Sequence, residues 1–164
     1  MDIPDDIAAA FSHQVTLEFI ADLTYRQLSF EAANQGYPGI AAWMRAQADE
    51  EITHAHKFAD HVLERGGRPQ IEAIESPQVG VGLSPLDIFH ASLAHEKKVT
   101  AAINDLKQTC VAAGDEESIA LVDWFLKEQD EEESTVGGII ARIQGADVAG
   151  LSALDAELGG RSQE

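Results

Sequence analysis

Cysteine is almost missing from this chain. Its single copy, Cys110, excludes an internal disulfide framework and any metal knuckle built from paired thiolates. Cys110 falls seven residues after Ile103, so its default place is a small core position. Proline is scarce too, and its copies at 4, 38, 69, 77 and 85 sit where helical segments begin or where the chain must turn. No uncharged apolar run approaches the roughly 18 residues that a membrane-spanning helix needs. The opening Met1-Asp2-Ile3-Pro4-Asp5-Asp6 lacks the basic and apolar regions of a signal peptide, so a cytoplasmic protein is expected. Basic residues are the last deficit. Eleven Lys and Arg against 29 Asp and Glu leave a net charge of −18, which repels phosphate backbones and argues against nucleic acid or an anionic membrane as partner. The same acidity either draws in cations or merely keeps the surface solvated; charge alone does not choose.

What is present is helical patterning. With 164 residues, 45% of them hydrophobic, the chain suits one all-α domain, expected over 1–158 and followed by a flexible tail at 159–164. A first segment, from about Pro4 to Asn34, carries Ile7, Phe11, Ala21, Tyr25 and Leu28 on one stripe and ends near Gly36. Pro38 suits the first turn of a second, with Ile40, Met44, Ala55, Phe58 and Val62, which Gly66-Gly67 stops. Ser84-Pro85-Leu86-Asp87 opens a third: a capping hydroxyl, proline in the first turn and an acid three residues on. It ends at Gly114. Asp115-Glu116-Glu117 starts a fourth, running to about Gly145, and a short amphipathic piece covers about Asp147 to Leu158. Gly137-Gly138 interrupts the fourth pattern, signalling either a close helix contact or a kink. Short links make helices one and two, and three and four, antiparallel pairs. The 16 residues from Arg68 to Leu83 span roughly 50 Å when extended, more than the roughly 42 Å of a 28-residue helix. The expected fold is therefore a four-helix bundle with one long crossover loop and a short fifth helix.

The two halves also repeat a set of polar residues. Glu18 is followed by Glu51 and His54, and Glu96 by Gln129 and Glu132; both intervals are 33 residues and then three. Each Glu has large apolar neighbours seven residues away: Phe11 and Tyr25 around Glu18, Met44 and Phe58 around Glu51, Phe89 and Ile103 around Glu96, Phe125 and Ile139 around Glu132. Seven residues is close to two turns, so all four carboxylates point into the core at one level. Unpartnered, they cost several kcal/mol per group. With one helical His and no Lys or Arg in the seam, a metal is the obvious counter-charge.

Ligand chemistry then assigns roles. Glu18 and His54 serve one ion, Glu51 reaches both, and Glu96 with Glu132 hold the second; hard oxygens with one nitrogen fit Fe, Mn or, less well, Zn. Gln129 stands where the first half has its bridging Glu. A neutral amide holds a cation more weakly, so the second ion is the looser one. Tyr25 either bonds a ligand, gives up an electron or simply fills the core. Glu50, Glu128 and Glu131 flank the seam as a third, looser site or as a solvated acidic face. Trp124 reads as packing, His13, His56, His90 and His95 as surface residues, and His61 as an edge of the core without a nameable carboxylate partner.

The chain resembles bacterial non-haem ferritins over nearly its whole length. The resemblance rests on Leu17-Glu18 with Tyr25, Asp49-Glu50-Glu51-Ile52-Thr53-His54, Glu75-Ser76-Pro77, the run from Trp124 to Glu133, and Leu154-Asp155-Ala156-Glu157-Leu158. It implies a hollow cage of twenty-four subunits, with the fifth helix near the four-fold axes. It also implies ferroxidase activity: Fe²⁺ oxidised by O₂ or peroxide at a di-iron centre, and Fe³⁺ stored as mineral. Bacterioferritins, similar in fold, place a haem-ligating methionine where this chain has Ile52, so no haem is expected. Mini-ferritins build their site between subunits, and rubrerythrin-like peroxidases need four cysteines. A non-catalytic acidic assembly that sequesters metal, and a di-iron oxidase of an organic substrate, are the rival readings.

Overall fold

Each long apolar stripe of the sequence becomes one rod of a bundle. The computed structural model describes residues 2–161; the expected flexible tail falls partly outside them, at 162–164. Helix α1 spans Asp5–Asn34, α2 Pro38–Glu64, α3 Pro85–Ala113, α4 Glu116–Gln144 and α5 Val148–Leu158, with no strand among the described residues. The start signals act as side-chain chemistry predicts. Ser84 Oγ accepts from the Asp87 N–H while the Asp87 carboxylate accepts from the Ser84 N–H, a complete capping box. Asp115 and Asp147 cap α4 and α5 by accepting from the N–H groups of Ser118 and Gly150. Gly114 ends α3 at φ 66°, a left-handed conformation that a side chain would disfavour.

Helix α1 packs along α2, α3 along α4, and α1 against α3, while α5 folds back onto α2. The crossover can be followed up the side of α1. The Arg65 carbonyl accepts from the Ile3 N–H, and the N–H groups of Gln70 and Glu72 donate to Ser12 Oγ and Thr16 Oγ1, each at 3.0 Å. By Gly82 the chain lies beside the Gln35 side chain. The loop thus travels the length of α1 and delivers α3 parallel to α2.

The apolar core is not continuous. One cluster gathers Tyr25, Leu28, Met44, Phe89, Ile139 and, from α5, Leu154 and Leu158. The other gathers Ile7, Phe11, Phe58, Ile103, Cys110 and Phe125. Between them lies a buried polar layer, which places the polar repeat of the sequence at mid-bundle. Gly137-Gly138 does not break α4, and an added Cβ at either residue would meet nothing within 4 Å. Close packing within the subunit is therefore not its reason, and nothing else in the structure explains it.

Candidate metal centre

Glu18, Glu51, Glu96, Gln129, Glu132 and His54 are all buried, one or two from each long helix. The α1 and α2 residues converge most closely: Glu18, Glu51 and His54 each offer a ligand atom within 4.8 Å of the others. Gln14 Nε2 donates to Glu18 Oε1 at 2.8 Å, whereas Glu18 Oε2 is buried without a hydrogen-bond partner. Glu51 Oε2 meets His54 Nδ1 at 3.2 Å, and its Oε1 accepts from Gln47 Nε2 at 3.2 Å. That same Gln47 amide donates to Glu132 Oε2 at 3.0 Å, tying α2 to α4.

Glu96 is held differently. The Tyr25 hydroxyl donates to its Oε1 at 2.5 Å and contacts Ser92 Oγ at 2.9 Å. Gln129 Nε2 donates to Glu96 Oε2 at 2.9 Å. The structure therefore joins three of the five expected ligands in one trio, and engages Glu96 and Glu132 with amide and hydroxyl donors nearby. A second trio, Glu50, His54 and Glu128, opens toward the outside. Glu131 is exposed and lines a groove with Glu50, Glu128 and Glu132.

The charge state of the layer follows from burial. Desolvation, then the Glu51 charge, lifts Glu18 well above the usual carboxylate range. The same causes push Glu96 up to about 8. Burial followed by the charges of Glu50 and Glu51 takes Glu132 to about 7. For His54, burial alone would lower the pKa, but the bond to Glu51 and the charges of Glu51, Glu18 and Glu50 raise it to about 9. Without a cation the layer therefore keeps protons on some of its acids. An orphaned carboxylate oxygen, several acids in mutual repulsion and one imidazole form a donor set suited to hard or borderline divalent ions.

One reading of a side chain needs correction. His95 is not a surface residue. It is half-buried with Nε2 unpartnered, its ring edge-on to Tyr25 of α1 at 6.2 Å, and it lines a cavity between α1, α3 and the crossover. His61 does edge the core, with a hydroxyl for its partner: Nε2 lies 2.9 Å from Ser118 Oγ and its ring stacks on Phe11. Trp124 packs on His54 and Phe125 as expected, while its outer part stays 38% exposed with Lys57 Nζ 3.4 Å above the ring. Residue patterning also missed Gln14 and Gln47, which orient three of the acids. A signal for them existed. Each stands four residues before a site Glu, and the two are themselves 33 apart.

A helical bundle with a buried carboxylate–histidine layer at mid-height and a single long crossover belongs to a known class. Residues 8–146 match the family described as a ferritin-like domain, and the chain is a member of the ferritin family. Among its relatives, the bacterial non-haem ferritin of Bacteroides fragilis is 32% identical over 159 residues, covering 97% of this chain and 99% of that one. The Escherichia coli protein of the same name is 32% identical over 150 residues, 90% of each chain. An Archaeoglobus fulgidus ferritin engineered into a closed form superimposes with a TM-score of 0.95 at 32% identity, over 99% of this chain and all of that one.

Proposed function

We propose that this protein stores and detoxifies iron, oxidising Fe²⁺ at a di-iron centre within each subunit and holding Fe³⁺ as mineral inside a hollow, cytoplasmic cage of like subunits. The observation that carries this reading is the orphaned Glu18 Oε2 within a trio completed by Glu51 and His54. Two ferrous ions are the substrate. Glu18 and His54 hold the first, Glu51 lies between the two, and Glu96 with Glu132 hold the second. Each ion gives up one electron. O₂ accepts both with two protons and leaves as hydrogen peroxide; with peroxide as oxidant, the O–O bond breaks and water leaves. Anionic oxygen donors favour Fe³⁺ over Fe²⁺ and so favour the loss of the electron. Tyr25 keeps Glu96 in place through its hydroxyl hydrogen bond. Gln129 adds no charge to the second position, so the oxidised product is released instead of kept. Glu50, Glu128 and Glu131 offer a third, looser position on the way out.

The cage rests on family membership, as does the twenty-four-subunit count. Val81, Val148, Ile71 and Leu63 stand largely exposed, apolar surface of the kind that neighbouring subunits cover. A sequestering protein without turnover is the second reading, favoured by the closer assembly of the α1–α2 trio than of the other half. Oxygen consumption on adding Fe²⁺ separates the two. Glu51→Ala should lower the initial oxidation rate at least about tenfold while raising the melting temperature of the metal-free protein, since it relieves buried repulsion. An unchanged rate in that variant would remove the assignment. Light scattering should find a particle many times the mass of one chain, without a Soret band.

A further inference from the structure

The groove outside Glu132, between α2 and α4, has a volume of about 210 Å³ and is lined by four carboxylates: Glu50, Glu128, Glu131 and Glu132. Among the described residues lining it, one is a cation, and it comes from neither helix. Arg161 lies three residues beyond the end of α5, after Gly159-Gly160. Its Nη1 donates to Gln47 Oε1 at 3.0 Å and its Nη2 to Glu50 Oε2 at 2.8 Å. The guanidinium plane lies over the Trp43 ring, 4.7 Å from the centroid.

Two consequences follow from these contacts. Glu50 is also one of the three groups, with His54 and Glu128, able to share a cation. A guanidinium and a divalent ion on the same carboxylate would stand within a few ångströms as like charges, so each excludes the other. Gln47 is bound from both ends: Arg161 holds its oxygen, while its Nε2 serves Glu51 and Glu132. The orientation of the amide that fixes two site acids is thus set by a residue outside the bundle. The Arg161 side chain is about a quarter exposed, and two glycines in tandem give its backbone room to swing.

We propose that Arg161 is a tethered counter-cation, which occupies the outer mouth of the metal centre and must leave Glu50 before a divalent cation can settle there. It is a positioning residue: it acts through Gln47 and Glu50 and touches no reacting atom. The inference builds on the metal-centre reading, but not on oxidation. The test therefore uses Zn²⁺ alone, which does not change oxidation state. Parent, Arg161→Ala and Arg161→Lys proteins are titrated by calorimetry, and by Trp43 fluorescence in a common Trp124→Phe background.

In the parent, Zn²⁺ should change Trp43 emission as the guanidinium lifts from the ring. In Arg161→Ala that change should disappear, and Zn²⁺ affinity at the mouth should rise about fivefold. Arg161→Lys, which keeps the charge without the fork, should lie between the two. Equal or weaker Zn²⁺ binding by Arg161→Ala would overturn the proposal, as would a Trp43 response independent of residue 161. A protein that binds Zn²⁺ as described but consumes no oxygen with Fe²⁺ would fail the ferroxidase reading and still support this one.

Discussion

Gln129 directs its amide nitrogen at three acceptors: Glu96 Oε2 at 2.9 Å, the Glu96 carbonyl at 3.2 Å and Thr100 Oγ1 at 3.2 Å. Glutamate at this position can make none of these donations while ionised, and it sets a second negative charge against Glu96 in a low-dielectric site. Two bridging carboxylates would then grip an oxidised ion that the amide lets go. Gln129→Glu should leave the first burst of Fe²⁺ oxidation close to the parent's and slow recovery between successive additions by about threefold or more; stopped-flow absorbance reads both phases. Equal recovery would mean that the amide is not what frees the product. At this scale the buried acids were legible because burial has a period: a Glu seven residues from two aromatic or aliphatic core residues must point inward. The supporting amides share that register, Gln14 between Ile7 and Ala21 and Gln47 between Ile40 and His54, but an uncharged amide on a core stripe demands no counter-charge and so drew no attention. His95 was misplaced for a different reason. It turns toward Tyr25 of α1 and a cavity shared with the crossover, neighbours that no periodicity within α3 can reveal.

Helix α5 is fastened to the start of α2 by contacts that leave no space. The Asp155 carboxylate accepts from the Ile40 N–H at 2.8 Å, so α5 supplies an acceptor to the open N-terminus of α2. A Cβ on Gly39 would fall 1.6 Å from the Asp155 carbonyl oxygen, a backbone atom that cannot rotate away. Gly39→Ala should therefore detach α5 and expose Leu154 and Leu158, at a cost of about 3–6 kcal/mol. Protease cleavage between α4 and α5 should accelerate while α1 to α4 stay resistant. The boundaries of all five helices were readable from proline, glycine and capping residues, as the Ser84–Asp87 box shows. The docking of α5 was not. It depends on an approach between Gly39 and Asp155, 116 residues apart, and the sequence marks it only by a glycine in a first turn.

Across the whole subunit, the buried layer couples stability to protons. Glu18, Glu96, Glu132 and His54 all hold a proton more tightly folded than unfolded. Each therefore stabilises the fold fully below its unfolded pKa and loses that contribution as the pH rises through its folded value. For Glu132, Glu96 and His54 those values are about 7, 8 and 9. The metal-free protein should lose about 5 °C or more in melting temperature between pH 6 and pH 9. Saturating Zn²⁺, which takes the place of the protons, should remove most of that loss, and its own affinity should fall as the pH drops. Scanning calorimetry at a series of pH values checks both slopes. A melting temperature that rises over this range without metal would contradict the charge state described for the layer. The bundle and its crossover were legible from loop length, but the division of the core by this layer emerged only when the helices were set side by side.

That division gives the bundle two interiors. Each draws on all four long helices, and the one containing Tyr25 and Met44 has α5 as well. Cooperative opening follows contiguous apolar contact, so the two ends should behave as separate units in amide hydrogen exchange. Without a cation, amides of the end that includes Ile7 and Phe125 should exchange with a lower opening free energy than those beside Tyr25 and Leu28. Two ions held as proposed would together reach all four helices at the boundary and should bring the two protection levels together, making one unit of two.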